Sequence, residues 1–144
     1  MNLIMRNSKK IISILLVILW MTFIFIMSSF NSMDSSSQSN IIVNFIVRLF
    51  NISNIDVVSL IVRKLAHFTE YFILGVLVAN MLRYFDKRIY ISIFICILYA
   101  ISDEIHQLFV LGRSCQVLDI LIDSIGSCSG IILFNKLKFL YRKF

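Results

Sequence analysis

Apolar and polar positions along the chain fall into long blocks rather than into short alternations. Four hydrophobic runs stand out: Ile11 to Phe30, Leu65 to Leu82, Ile89 to Phe109 and Leu118 to Phe134. Each approaches the ~20 residues that a helix needs to cross a ~30 Å hydrocarbon core. They predict spans over about 11–30, 65–82, 89–109 and 118–135. A chain inside lipid must satisfy its own backbone hydrogen bonds, which an α-helix does, and the absence of Pro from the sequence suits unbroken helices. No ~10-residue alternating segments of the kind that build a membrane barrel are present.

Between the first two runs the polar stretch "NSMDSSSQSN" gives way to "IIVNFIVRLF". The second stretch is too short to span. Its Ile41, Ile42, Phe45, Ile46 and Leu49, set against Asn44, Arg48 and Asn51, describe one apolar helical face, which predicts an interfacial helix. "SNID" (Ser53 to Asp56) reads as an N-cap with an acidic residue three positions on, starting the helix that becomes the second span. The predicted fold class is therefore all-α: one domain over residues 1–144, an integral membrane bundle of four transmembrane helices with an extracytoplasmic interfacial helix between the first and second. No internal repeat is visible.

Composition agrees with this pattern. Of the 144 residues, 59% are hydrophobic and 15% charged, against roughly 25% charged in a soluble domain. Arg6, Lys9 and Lys10 precede the first run as in a signal peptide, but the run exceeds the 7–15 residues of an h-region and lacks a convincing small-x-small site, so an uncleaved helix is expected. Cys96, Cys115 and Cys128 are odd in number and without C-x-x-C spacing, which indicates neither a disulfide framework nor zinc. The net charge of +6 raises the question of nucleic acid. With a cytoplasmic N-terminus, however, ten of the fourteen Lys and Arg residues fall in inside segments and four (Arg48, Arg63, Lys64, Arg113) in outside ones, as the positive-inside rule requires. The expected location is the cell membrane, multi-pass, with both termini cytoplasmic. Lipids rather than nucleic acid are the expected partner.

That orientation gathers the polar residues. His67 and Glu70 lie early in the second span, Asp103, Glu104 and Gln107 late in the third, Asp119 and Asp123 early in the fourth, with Arg113 in the short loop above. All fall in one outer-leaflet layer. Helical spacing puts His67, Glu70, Tyr71 and Leu74 on one stripe, Asp103 and Gln107 on another, and Asp119, Asp123, Gly126 and Gly130 on a third. Ionisable groups inside a membrane are costly and usually face the bundle interior, where they mark a site. Two rival explanations are loop-edge solvation and helix-tying charge pairs. The five acids outnumber the nearby bases Arg113, Arg63 and Lys64, of which the last two are expected at lipid head groups.

Three chemistries suit such a layer. Carboxylates with a His can hold a metal, although no ligand spacing is present and no metal or cofactor is expected. A carboxylate pair can divide into general acid and ionised partner. Arg113 with Ser114 and Gln116 can grip a phosphate or carboxylate head group while Asp and Gln meet sugar hydroxyls. The pairs Gly126-x-x-x-Gly130 and Gly75-x-x-x-Ala79 are read as close helix packing. Trp20 and Phe23 are read as ordinary core or lipid contacts, and His106 as facing away from the Asp103/Gln107 stripe.

At these residues the sequence resembles the VanZ-like family of small bacterial membrane proteins. "RKLAHFTEYFILG" (Arg63 to Gly75) resembles the family's K-x-x-H-F-x-E-Y-x-x-L-G, "SDEIHQLFVLGRS" (Ser102 to Ser114) its D-E-x-x-Q-x-F-x-x-G-R-S, and "DILIDSIGSCSG" (Asp119 to Gly130) its D-x-x-x-N-x-x-G-x-x-x-G. "SSFNSMDSSSQS" is similar to the family's Ser/Gln-rich segment after the first span. Two positions depart from the pattern: Leu111 stands for the usual Pro, and Asp123 for a common Asn. The resemblance implies a role associated with resistance to the lipid-tailed glycopeptide teicoplanin, or a general envelope role. The partners it implies are lipid-linked cell-wall intermediates or a lipoglycopeptide. Three kinds of action stay open: binding or shielding without turnover, an intramembrane hydrolase or transferase using Glu70, Asp103, Asp119 and His67, and proton-coupled export. Oligomeric state is left open.

Overall fold

A computed structural model describes residues 3–30, 32–52, 54–85 and 88–141 of the chain. Asn31, Ser53, Lys87, Arg142 and Lys143, which enter the expectations above, lie outside the described residues. The described chain is all-helical, without strands: α1 (Leu3–Ser28), α2 (Ser32–Phe50), α3 (Ile55–Leu82), a 3-10 turn at Arg83–Phe85, α4 (Ile89–Gln107) and α5 (Val117–Tyr141). Four of these, α1, α3, α4 and α5, are long and apolar enough to cross a membrane.

Helices α3 and α5 outrun their apolar cores, because a helix satisfies its own backbone whatever its side chains meet. Thus α3 begins ten residues before the apolar run, and α5 continues through Lys136 and Lys138. The cap of α3 is Asn54, whose side chain accepts from the Val57 N–H at 3.2 Å, with Asp56 in the first turn. Helix α2 takes in the polar run from Ser32 and ends at Phe50, and the next residue, Asn51, carries the left-handed φ of 51°. Asn51 therefore belongs to the turn rather than to the helical face, a position where Asn is tolerated.

Burial follows one stripe per helix. In α3 it runs through Tyr71, Leu74, Gly75, Val78, Ala79 and Leu82, and in α4 through Ser92, Cys96, Ala100, Asp103, Glu104 and Gln107. In α5 the stripe is Asp119, Asp123, Gly126, Ser127, Gly130 and Ile131. Most other large apolar side chains of the spans face outward, as lipid permits and water does not. Helix α2 buries Val43 and leaves Ile41, Ile42, Phe45 and Leu49 exposed.

The tightest seam joins α3 to α5. A Cβ on Gly75 would overlap the backbone carbonyl of Ser127, one on Gly126 that of Phe68, and one on Gly130 that of Phe72. Small residues thus let two backbones touch, which is how helices associate where no hydrophobic force separates them from lipid. This seam fixes the polar stripe of α3 against that of α5, one to two turns from the glycines.

Candidate functional site

The polar residues of α3, α4 and α5 meet at one end of the bundle. Helix α1 reaches that end with Met27 and Ser28, and the loop between α4 and α5 closes over it. His67 and Glu70 sit three to four turns into α3, deeper along the helix than the apolar run alone suggests. His67 Nδ1 lies 3.5 Å from Asp123 Oδ1, and Asp123 is fully buried. Asp103 is buried beside the hydroxyls of Ser28 and Tyr71, neither of which closes to a full hydrogen bond with it. Glu104 is fully buried and accepts from the Gln116 backbone N–H at 2.8 Å through Oε2, which ties α4 to the start of α5. Gln107 is buried as well, with its Nε2 lacking a protein acceptor among the described residues.

Lys64 does not simply face head groups. Its ammonium pairs with Asp119 and donates to Gln116 Oε1 at 3.2 Å. The long lysine stem lets a residue on the outer part of α3 reach the first turn of α5. One of the five acids is thereby balanced by a base, and His67 stands beside a second.

Arg113 follows a turn in which its own N–H bonds the Val110 carbonyl at 3.1 Å and Gly112 has φ 76°. This is the pattern of a type II turn, which needs Gly at its third position and favours Pro at its second. Leu111 fills that second position, fully outside the core. The Arg113 Nε donates to the Phe30 carbonyl at 3.3 Å, so the loop is anchored to the end of α1. Burial, and then the neighbouring charge of Arg63, pull the Arg113 pKa below the ordinary arginine value.

Two cavities flank this set. The larger, about 240 Å³, is lined by polar Ser28, Arg63, His67, Glu70, Asp103 and Arg113 together with apolar Met27, Ile42, Val62 and Ala66. The smaller, about 130 Å³, lies between Arg63, Lys64, Gln107, Ser114, Gln116 and Asp119 under the loop. Arg63, His67 and Arg113 border both. Among the described residues no three of His, Cys, Asp and Glu are arranged to hold a metal ion.

The model of the VanZ/LLP1 family matches residues 13–140. The chain belongs to the VanZ/LLP1 family. No curated protein and no solved structure matches it. With four helices long and apolar enough to cross a membrane among its described residues, this VanZ/LLP1 chain has the make-up of a multi-pass membrane protein.

Several partners in the site of this VanZ/LLP1 protein had no signal in the sequence reading. Trp20 donates its indole N–H to the Glu70 backbone carbonyl at 2.9 Å, and Tyr99 its hydroxyl to that of Met21 at 2.5 Å. His106 does face away from Asp103 and Gln107: its Nε2 is 3.1 Å from the Ser29 hydroxyl and its ring lies 4.3 Å from that of Phe25. Ser28 and Arg63 border the larger cavity without having been singled out as site residues.

Proposed function

We propose that the larger cavity binds a lipid-linked component of the cell envelope or a lipophilic glycopeptide, and shields it without turnover. The observation that carries this reading is the mixed polar and apolar lining of that cavity. Charged and hydroxyl groups share its lining with apolar residues that include the exposed Ile42. Such a cavity suits a molecule with a polar head and an apolar tail. The ten-to-four division of basic residues orients the site toward the outer face, with both termini in the cytoplasm. Protection against a teicoplanin-type antibiotic follows if the bound molecule is the antibiotic's lipid-bearing part or the envelope target it needs.

The rival reading, an intramembrane hydrolase or transferase, asks Glu70, Asp103, Asp119 and His67 to act together. Pairing of Asp119 with Lys64 ties up one of these four as an ion pair, which favours binding over turnover.

Expression of the wild type and of Glu70→Gln and Asp103→Asn in a teicoplanin-sensitive host tests the reading. Both variants should reach wild-type membrane abundance and melting temperature while losing protection. Loss of folded protein in both would favour a purely helix-tying role. Release of a labelled head group from envelope lipid by the purified wild type would favour the enzyme.

A further inference from the structure

Two guanidinium groups approach the larger cavity from different elements, and among the described residues no carboxylate bridges them. Arg63 comes from α3 and is exposed; Arg113 comes from the α4–α5 loop and is half-buried. Among the described residues neither lies within ion-pair distance of an acid, since the two such pairs are Lys64 with Asp119 and His67 with Asp123. Asp103, Glu104 and Asp119 attract Arg113 from farther off. Among the described residues the guanidinium makes one hydrogen bond, from Nε to the Phe30 carbonyl, and both Nη groups are without a protein acceptor. Two like charges at one cavity, one of them half-buried, form an arrangement that an anion relieves, and a guanidinium fork matches the oxygens of a phosphate.

The inner end of the same cavity has the opposite character. Asp103 is only 3% exposed, and among the described residues neither of its carboxylate oxygens receives a full hydrogen bond, the Ser28 and Tyr71 hydroxyls standing beside it. A buried acceptor without a donor is costly. Glu70 borders the cavity beside it. A volume of about 240 Å³ falls below the ~300–1,000 Å³ of pockets that enclose a drug-sized molecule, so a head group fits and the rest of an amphiphile must lie along Ile42, Val62 and Ala66.

We propose that this cavity is a head-group site for a phosphate-bearing lipid, with the phosphate bridging Arg63 and Arg113 and donors farther out on the head group directed to Asp103 and Glu70. The proposal rests on the binding reading above and narrows it: a glycopeptide scaffold is too large to enter, and a phospholipid or phosphate-linked glycolipid head is not. Hydroxyl or ammonium groups can supply the donors.

The test uses the purified full chain in neutral detergent, with lipid retention read by native mass spectrometry. Four lipids with identical oleoyl chains serve as probes: diacylglycerol, phosphatidylcholine, phosphatidylglycerol and phosphatidylethanolamine. At least one of the last two should bind about tenfold more tightly than phosphatidylcholine, and that in turn more tightly than diacylglycerol. Preference for phosphatidylglycerol assigns hydroxyl donors; preference for phosphatidylethanolamine assigns ammonium. Arg63→Gln and Arg113→Gln should each weaken all three phosphate lipids about tenfold and leave diacylglycerol unchanged. Asp103→Asn should remove only the advantage over phosphatidylcholine. Should Arg113→Gln fail to fold, Arg113→Lys keeps the charge, loses the fork, and should still weaken phosphate lipids selectively. Equal retention of all four lipids, abolished by the cavity-filling Ala66→Trp, would overturn the phosphate assignment and leave amphiphile binding standing. Retention of none would overturn both.

Discussion

Trp20 in α1 donates its indole N–H to the backbone carbonyl of Glu70 in α3, at 2.9 Å. The bond fastens the first span to the residue whose side chain borders the larger cavity, so packing between spans and geometry of the site are coupled there. Trp20→Phe keeps the apolar ring and deletes the donor. It should cost about 0.5–1.5 kcal/mol, the usual net worth of a hydrogen bond. A larger fall in ligand retention than Phe23→Leu produces should accompany it, because Phe23 touches Trp20 without reaching α3 by a hydrogen bond. Thermal unfolding in detergent and lipid retention together measure both effects.

A second expectation concerns the α3–α5 seam. Gly130→Ala sets a methyl group against the Phe72 carbonyl, a backbone atom that cannot swing aside. Overpacking costs about 1–3 kcal/mol, while Ala gains up to ~1 kcal/mol in helix propensity. A net loss in melting temperature should result, and Gly130→Leu should prevent the bundle from forming. A melting temperature at or above wild type in Gly130→Ala would mean that the two backbones are not in contact.

Topology gives a third. Native Cys115, in the loop beside Arg113, is partly accessible, and Arg88, at the opposite end of α4, is exposed. In intact cells an impermeant thiol reagent should label Cys115 and should not label the cysteine of Arg88→Cys until the membrane is opened. The reverse pattern would put the polar layer on the cytoplasmic side.

The elements were legible because lipid imposes length and hydrophobicity together, so that four apolar runs could become four spans without tertiary information. The polar layer was legible for a related reason: Glu70, Asp103, Asp119 and Asp123 recur at helical spacing at matching depths. Pairings inside the layer were not. Lys64 reaches Asp119 across 55 residues by a flexible stem, and nothing in local spacing distinguishes that from a lysine at a head group. The acceptor for Trp20 is a backbone carbonyl, and the donor to Glu104 a backbone N–H from Gln116; neither depends on residue type. The cap of α3 moved by one position for a similar reason, since "SNID" offers two residues able to cap and only the entry angle of the helix chooses between them.

A final expectation turns on Asp123, which stands where Asn is common in the family pattern. It is fully buried and faces His67 Nδ1 at 3.5 Å, a distance at which a charge pair gains less than at full contact. Burying two opposite charges often only breaks even with a neutral arrangement, since each must lose its hydration. Asn has nearly the shape of Asp and can meet a neutral imidazole as donor or acceptor. Asp123→Asn should therefore change stability by less than ~1 kcal/mol. Asp123→Leu removes the carboxylate 3.5 Å from the buried imidazole nitrogen, which makes no other hydrogen bond among the described residues, and should cost about 1–3 kcal/mol, the penalty for an orphaned polar group. A double-mutant cycle with His67→Phe separates the pair from the cavity each truncation leaves. In it, the coupling between Asp123→Leu and His67→Phe should be at least 0.5 kcal/mol, the lower end of values for residues in contact. If Asp123→Asn alone unfolds the protein, the charge itself holds the helices together, and the layer is scaffold before it is site.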